Sequence, residues 1–252
     1  MPKLGDFKVL TFDCYGTLID WGKGILKALS PLVEKSGRAL SREEILAAFA
    51  REESEEEALN PRLIYREILA RVYEALARAW GVEGEEREAL AFALSIAEWP
   101  PFPDTVAALR YLKGFYKLAI LSNVDRSSFA KSREKLGIVF DHVFTAEEIG
   151  SYKPDLRNFR FMIEALQKEG FAKSDLLHIA QSLFHDHAPA NLCALASVWI
   201  DRRAGRKGSG ATPPPPPGVR FDFRFQSLSG LVAAHRRERG LARKGTARTA
   251  GA

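Results

Sequence analysis

Four short apolar runs stand out along the chain, at residues 9–12, 118–121, 176–180 and 197–200. Each is strand-length, and helical patterns separate the last three, so repeated βα units and a mostly parallel sheet are predicted. The first two runs lie too far apart for one crossover helix. Residues 21–99 between them are rich in Ala, Leu, Glu and Arg, with apolar positions at helical spacing. Ser41-Arg42-Glu43-Glu44 reads as a capping box, followed by Leu46, Phe49 and Ala50 on one face. Pro61 is expected to open a second helix carrying Leu63, Ile64, Ile68, Val72 and Leu76, which Gly81 ends. A third is expected over 85–97, before Pro100, Pro101 and Pro103 break the run. The prediction is an α/β core from residues 1–20 and 100–235, with an all-helical cap, 21–99, inserted over the strand edge. A cap there excludes water and supplies substrate contacts. Further on, Gly208-Ser209-Gly210 and the prolines 213–217 read as a stiff spacer, 221–225 as an edge strand and 228–235 as a last helix.

Composition bounds the class without naming a chemistry. The 252 residues are 46% hydrophobic and 27% charged, as in a globular protein. No apolar stretch is long enough to cross a bilayer, and the start of the chain lacks a signal-like apolar segment. Cys14 and Cys193 are too few for a disulfide framework, so a cytoplasmic location is expected. The net charge of +5 is carried by the end of the chain, where six basic residues meet one acid over 236–252. That segment reads as a disordered basic tail, and no nucleic-acid motif accompanies it. A small-molecule substrate is expected, with neither nucleic acid nor membrane as partner.

The chemistry begins at Asp13. It follows the apolar run 9–12 and precedes Tyr15-Gly16-Thr17, so a carboxylate leaves a strand end into a glycine turn. In open α/β sheets that edge binds ligands. Three more polar features follow strand-like runs: Ser122-Asn123, Lys153 in Ser151-Tyr152-Lys153-Pro154-Asp155, and Asp186 in Gln181-Ser182-Leu183-Phe184-His185-Asp186-His187. An acid, a Ser, a Lys and an acid in that order resemble the haloacid dehalogenase superfamily, whose Rossmann-like core carries a helical cap at this insertion point. Asp13-Cys14-Tyr15-Gly16-Thr17 and Trp199-Ile200-Asp201-Arg202 resemble the type II 2-haloacid dehalogenases in particular. Phosphatases of the superfamily carry a second Asp two residues after the nucleophile, to protonate a leaving alkoxide. A halide leaves without a proton, so Tyr15 fits displacement at carbon.

The resemblance implies covalent catalysis, with Asp13 attacking the halogen-bearing carbon and Asp186 activating water against the resulting ester. It implies that Lys153 keeps both carboxylates ionised, and that Ser122 and Thr17 orient nucleophile or substrate. Tyr15, Asn123 and Ser182 would line the substrate site. A cap arginine would grip the halide; Arg51 is the best match, with Arg42, Arg62 and Arg66 as rivals. No cofactor is expected, and a homodimer is. Three positions depart from the pattern: Gln181 and Leu183 where Ser and Asn stand, and Phe159 in place of a Tyr. They keep two alternatives open, a magnesium-dependent phosphatase and a degenerate binding protein. His185 and His187 are expected as surface or helix-start residues, since zinc needs more donors. Cys14 is expected as a small buried side chain.

Overall fold

A computed structural model describes residues 2–240. Six strands form one parallel sheet: β1 (Val9–Phe12), β2 (Lys117–Ser122), β3 (His142–Thr145), β4 (Leu176–Ala180), β5 (Ala196–Ile200) and β6 (Phe223–Phe225). Their order is β3-β2-β1-β4-β5-β6. The order reverses beside β1, which pairs with β2 on one side and β4 on the other, leaving a crevice beyond their carboxyl ends. Phe12 is level with Ile120 and Ile179. Asp13, Ser122-Asn123 and Gln181-Ser182 therefore emerge at neighbouring points of one edge. β1 and β4 are buried along their whole length, which explains why they read as unbroken apolar runs. β3 was not predicted from sequence, because it is a half-buried edge strand with a mixed composition.

Four helices lie between β1 and the rest of the core: α1 (Trp21–Ser36), α2 (Arg42–Leu59), α3 (Tyr65–Trp80) and α4 (Glu86–Leu94). Asp20 caps α1 by accepting from the Lys23 N–H, and Ser41 and Glu44 form the predicted capping box of α2. Gly37 and Gly81, both left-handed, close α1 and α3. The second cap helix begins at Tyr65 rather than at Pro61. Tyr152 of the core donates to the Leu63 carbonyl (2.6 Å), so residues 61–64 are a turn docked on the core. α1 packs closely on the end of the same helical segment, since a Cβ on Gly24 would clash with the buried Trp99 ring.

The remaining helices are α5 (Thr105–Lys113), α6 (Arg126–Leu136), α7 (Ala146–Ile149), α8 (Leu156–Lys168), α9 (Ala188–Leu192) and α10 (Leu228–Glu238). α10 runs past residue 235, so Arg236 and Arg237, expected in the tail, occupy its last turn. The expected disorder of 241–252 lies outside the described residues. The proline-bearing segment does more than space two elements. Ala211 and Thr212 are buried, and Arg203 pairs with Glu43 of α2 at 2.5 Å, tying this loop to the helical layer.

Candidate active site

The turn after β1 sets the site. Gly16 has a φ of 95° and sits under Trp21, whose Nε1 would lie 2.9 Å from any added Cβ. Only glycine suits both demands. The turn leaves Asp13 buried at the sheet edge, where it meets Lys153 and Thr17. Lys153 Nζ lies 2.9 Å from Asp13 Oδ1 and 2.7 Å from Asp186 Oδ1, and donates also to the Leu121 carbonyl at 3.1 Å. Thr17 Oγ1 donates to Asp13 Oδ2 at 2.6 Å and accepts from the Gln181 N–H at 2.9 Å.

One buried ammonium thus bridges two buried carboxylates. Burial and the Asp186 charge push the Asp13 carboxyl above its ordinary value, against the pull of Lys153 and Thr17. Burial also acts to raise Asp186, but the Lys153 charge and a hydrogen bond from His178 outweigh it and hold Asp186 low. The Lys153 ammonium is favoured by its two carboxylates despite the cost of burying it. Asp13 is the more basic carboxylate of the two, which suits a nucleophile.

Behind Asp186 stands a residue that sequence reasoning missed. His178, in the middle of β4, lies 3.0 Å from Asp186 Oδ1 through Nε2 and 2.9 Å from Thr11 Oγ1 through Nδ1. A carboxylate only accepts, so Nε2 donates to Asp186. Phe159 packs edge-on against this imidazole, with ring centroids 5.1 Å apart. A histidine inside an apolar strand run was the available signal.

His185 and His187 are not surface residues; both are buried. They fall in a tight turn at 183–187 that Ser182 caps, and burial holds both rings at about 4, hence neutral. His187 is held by Ser197 Oγ and the Ala180 carbonyl. His185 Nδ1 lies 3.3 Å from Ser182 Oγ, which also accepts the His185 N–H; a Ser182 proton given to Nδ1 leaves the ring proton on Nε2. Cys14 is fully buried, as expected, and burial pushes its thiol up.

A small cavity of about 30 Å³ has Asp13, Tyr15, Ser122, Asn123, Lys153, Ser182, His185 and Asp186 in its walls. Thr17 adjoins it through Asp13. Three of its buried polar atoms have no hydrogen-bond partner among the described residues: Ser122 Oγ, His185 Nε2 and Asp186 Oδ2. Such atoms are costly to leave unpaired and mark places for a ligand. Tyr15 points its hydroxyl away, to Ser132 at 2.8 Å. Asn123 is a strut rather than an open donor, since its amide joins the Lys153 backbone to Glu57.

The helical layer contributes acids where an arginine was expected. Glu53 and Glu57 of α2 and Tyr65 of α3 enter the walls, whereas Arg51, Arg42, Arg62 and Arg66 do not. Arg51 is largely exposed and pairs with Glu52 (2.8 Å), because its position on α2 faces away from the sheet edge. Arg66 approaches Asp125 at 3.6 Å. Beyond Trp21, which borders both spaces, a cavity of about 460 Å³ carries Lys23, Arg42, Arg202, Arg203 and Arg206.

A divalent cation fits this donor set poorly. Asp13 and Asp186 already share the Lys153 ammonium. Gln181 contributes an amide, whose Oε1 accepts from Thr212 at 3.4 Å. Among the described residues no group of three His, Cys, Asp or Glu side chains converges as a metal site.

The family model for haloacid dehalogenase-like hydrolases matches residues 7–179, and the chain belongs to that family. It is 28% identical over 213 residues to the (S)-2-haloacid dehalogenase H-109 of Pseudomonas putida, covering 81% of this chain and 90% of that protein. It is 25% identical over 246 residues to the (S)-2-haloacid dehalogenase of Pseudomonas sp. strain YL, covering 94% and 98%. Among solved structures, the L-2-haloacid dehalogenase of Xanthobacter autotrophicus with chloropropionic acid covalently bound aligns with a TM-score of 0.72. That alignment covers 94% of this chain and all of the other at 20% identity, a likeness of fold.

Proposed function

We propose that this protein hydrolyses short 2-haloalkanoic acids to 2-hydroxy acids, through an ester on Asp13. The observation that carries the reading is the single Lys153 ammonium shared by Asp13 and Asp186, with Tyr15 in place of a second acid. Asp13 Oδ2 attacks the carbon bearing the halogen, and the C–X bonding pair leaves with the halide. Oδ1 becomes the carbonyl oxygen of the ester, with Lys153 Nζ already on it to stabilise the oxyanion of the second step. Asp186 Oδ2, unpartnered at the cavity wall, takes a proton from the attacking water and returns it to the leaving alkoxide. Ser122 Oγ and His185 Nε2 are unpartnered donors suited to the substrate carboxylate. The larger cavity sets five basic residues against Asp20 and Glu43, an excess that suits an anionic substrate on its way in.

The similarity to two (S)-2-haloacid dehalogenases supports the substrate class and the L series. The test is halide release from (S)-2-chloropropionate in the presence of EDTA. Turnover unaffected by EDTA is expected. Activity that requires added magnesium, or appears only with phosphate esters, would replace this reading with phosphoryl transfer.

A further inference from the structure

The two glutamates of α2 are the unexplained part of the site. Leu46, Phe49, Ala50, Glu53 and Glu57 follow one another at helical spacing, so the acids extend the buried stripe of the helix. Both line the cavity with Asp13. Glu53 accepts from the Tyr65 hydroxyl through Oε1, and Glu57 accepts from Asn123 Nδ2 at 3.3 and 3.2 Å. Four carboxyl groups therefore share a small cavity with one lysine, which already serves two of them. Ionising all four is untenable in so small a space.

A departing halide needs hydrogen-bond donors, and an ionised carboxylate would repel it. Among the described residues no arginine lines the cavity, and the Tyr15 hydroxyl is engaged elsewhere. We propose that Glu53, as a carboxylic acid, donates the hydrogen bond that receives the halide, in the role a cap arginine would otherwise fill. This rests on the dehalogenation reading and specifies its leaving-group side. The Asp13 lone pair forms the C–O bond, the C–X pair leaves with the halide, and Glu53 keeps its proton throughout. The substrates best served are those whose halide accepts hydrogen bonds strongly, chloride ahead of iodide.

The electrostatics agree. Burial, opposed by the Tyr65 hydrogen bond and reinforced by the Asp13 charge, raises the Glu53 carboxyl to about 8. Burial and the neighbouring Glu53 raise Glu57 well above its ordinary value, against Asn123 and Lys153. The titratable groups around Glu53 are Asp13 and Tyr15 from the first turn, Glu57 on its own helix, and Tyr65 from α3. Lys153, His185 and Asp186 complete the set from the loops after α7 and β4. A carboxyl raised to about 8 is neutral below that pH and charged above it. Its proton is therefore present at pH 7 and lost as the pH rises through 8.

The test compares wild type, Glu53→Gln and Tyr65→Phe on 2-chloro-, 2-bromo- and 2-iodopropionate across alkaline pH. Wild-type kcat/KM on the chloro acid is expected to fall about tenfold per pH unit above the Glu53 midpoint. Glu53→Gln, with a weaker but permanent donor, should be about tenfold slower at neutral pH, equivalent to about 1.4 kcal/mol. It should lack the alkaline limb, and its deficit should shrink from chloride to iodide. Tyr65→Phe removes the hydrogen bond that opposes the shift, so its limb should move up by about one pH unit. An unchanged limb in Glu53→Gln, a Tyr65→Phe limb that does not rise, or equal deficits for all three halides would overturn the proposal. Failure of every haloacid to form an ester on Asp13 would instead overturn the reading beneath it.

Discussion

Asp13→Asn is expected to abolish halide release, by about 10⁴-fold or more, while the protein stays folded. The size follows from removing the nucleophile of a unit whose members act together. An amide has no charge to displace a halide. The fold should tolerate the change because Lys153 still faces Asp186 at 2.7 Å, leaving one buried cation with one buried anion. A thermal melt beside a halide assay separates the two effects. Residual turnover near the wild-type rate would place the nucleophile elsewhere.

Lys153→Met is expected to damage both stability and rate. Breaking a buried charge network by removing one partner typically costs about 3–5 kcal/mol. For a chain of this size that corresponds to a fall in Tm of roughly 10 °C. The two carboxylates would then face each other without a cation, and one would take up a proton. If Asp13 takes it the first step fails, and if Asp186 takes it the second step fails. The rate at neutral pH should drop about 10³-fold or more, through the lost oxyanion contact as well as the lost charge. Raising the pH should recover part of the loss due to carboxylate protonation and none of the loss due to the missing oxyanion contact. A variant that melts like wild type would mean the pair is held by the surrounding fold rather than by the lysine.

The sequence made the centre of this molecule readable and left its cap obscure, for physical reasons. Buried parallel strands leave unbroken apolar runs, so β1, β2, β4 and β5 were visible, and the acids and hydroxyls at their ends marked the candidate site's edge of the sheet. Gly16 and Thr17 signalled the turn because the turn needs them. The resemblance then gave Asp13, Lys153 and Asp186 their expected roles, and the structure brings them within hydrogen-bonding distance of one another. His178 was hidden because one polar residue in a strand is a weak signal, and its partner Thr11 lies 167 positions away in sequence. Arg51 misled because its charge type was right and its helical face was wrong. In Arg-Glu-Glu-Ser-Glu-Glu-Glu every position resembles a solvated surface, and only the spacing from Leu46 and Phe49 separates Glu53 and Glu57 from their neighbours.

The departures at Gln181, Leu183 and Phe159 bear on the hydrolytic half-reaction. Asp186 takes a hydrogen bond from His178, with Phe159 packed on the ring, and His185 supplies an unpartnered donor from the turn that Leu183 opens. These contacts support an intact second step rather than a binding-only relative.

The most direct measurement is the intact mass of Asp186→Asn after incubation with (S)-2-chloropropionate. That variant leaves Lys153 paired with Asp13 at 2.9 Å, so the nucleophile stays charged while the candidate base is gone. The account predicts a stable increase equal to the acid less its halide, mapped to the peptide bearing Asp13, with one halide released per protein. An unmodified protein with haloacids of every halide would contradict it.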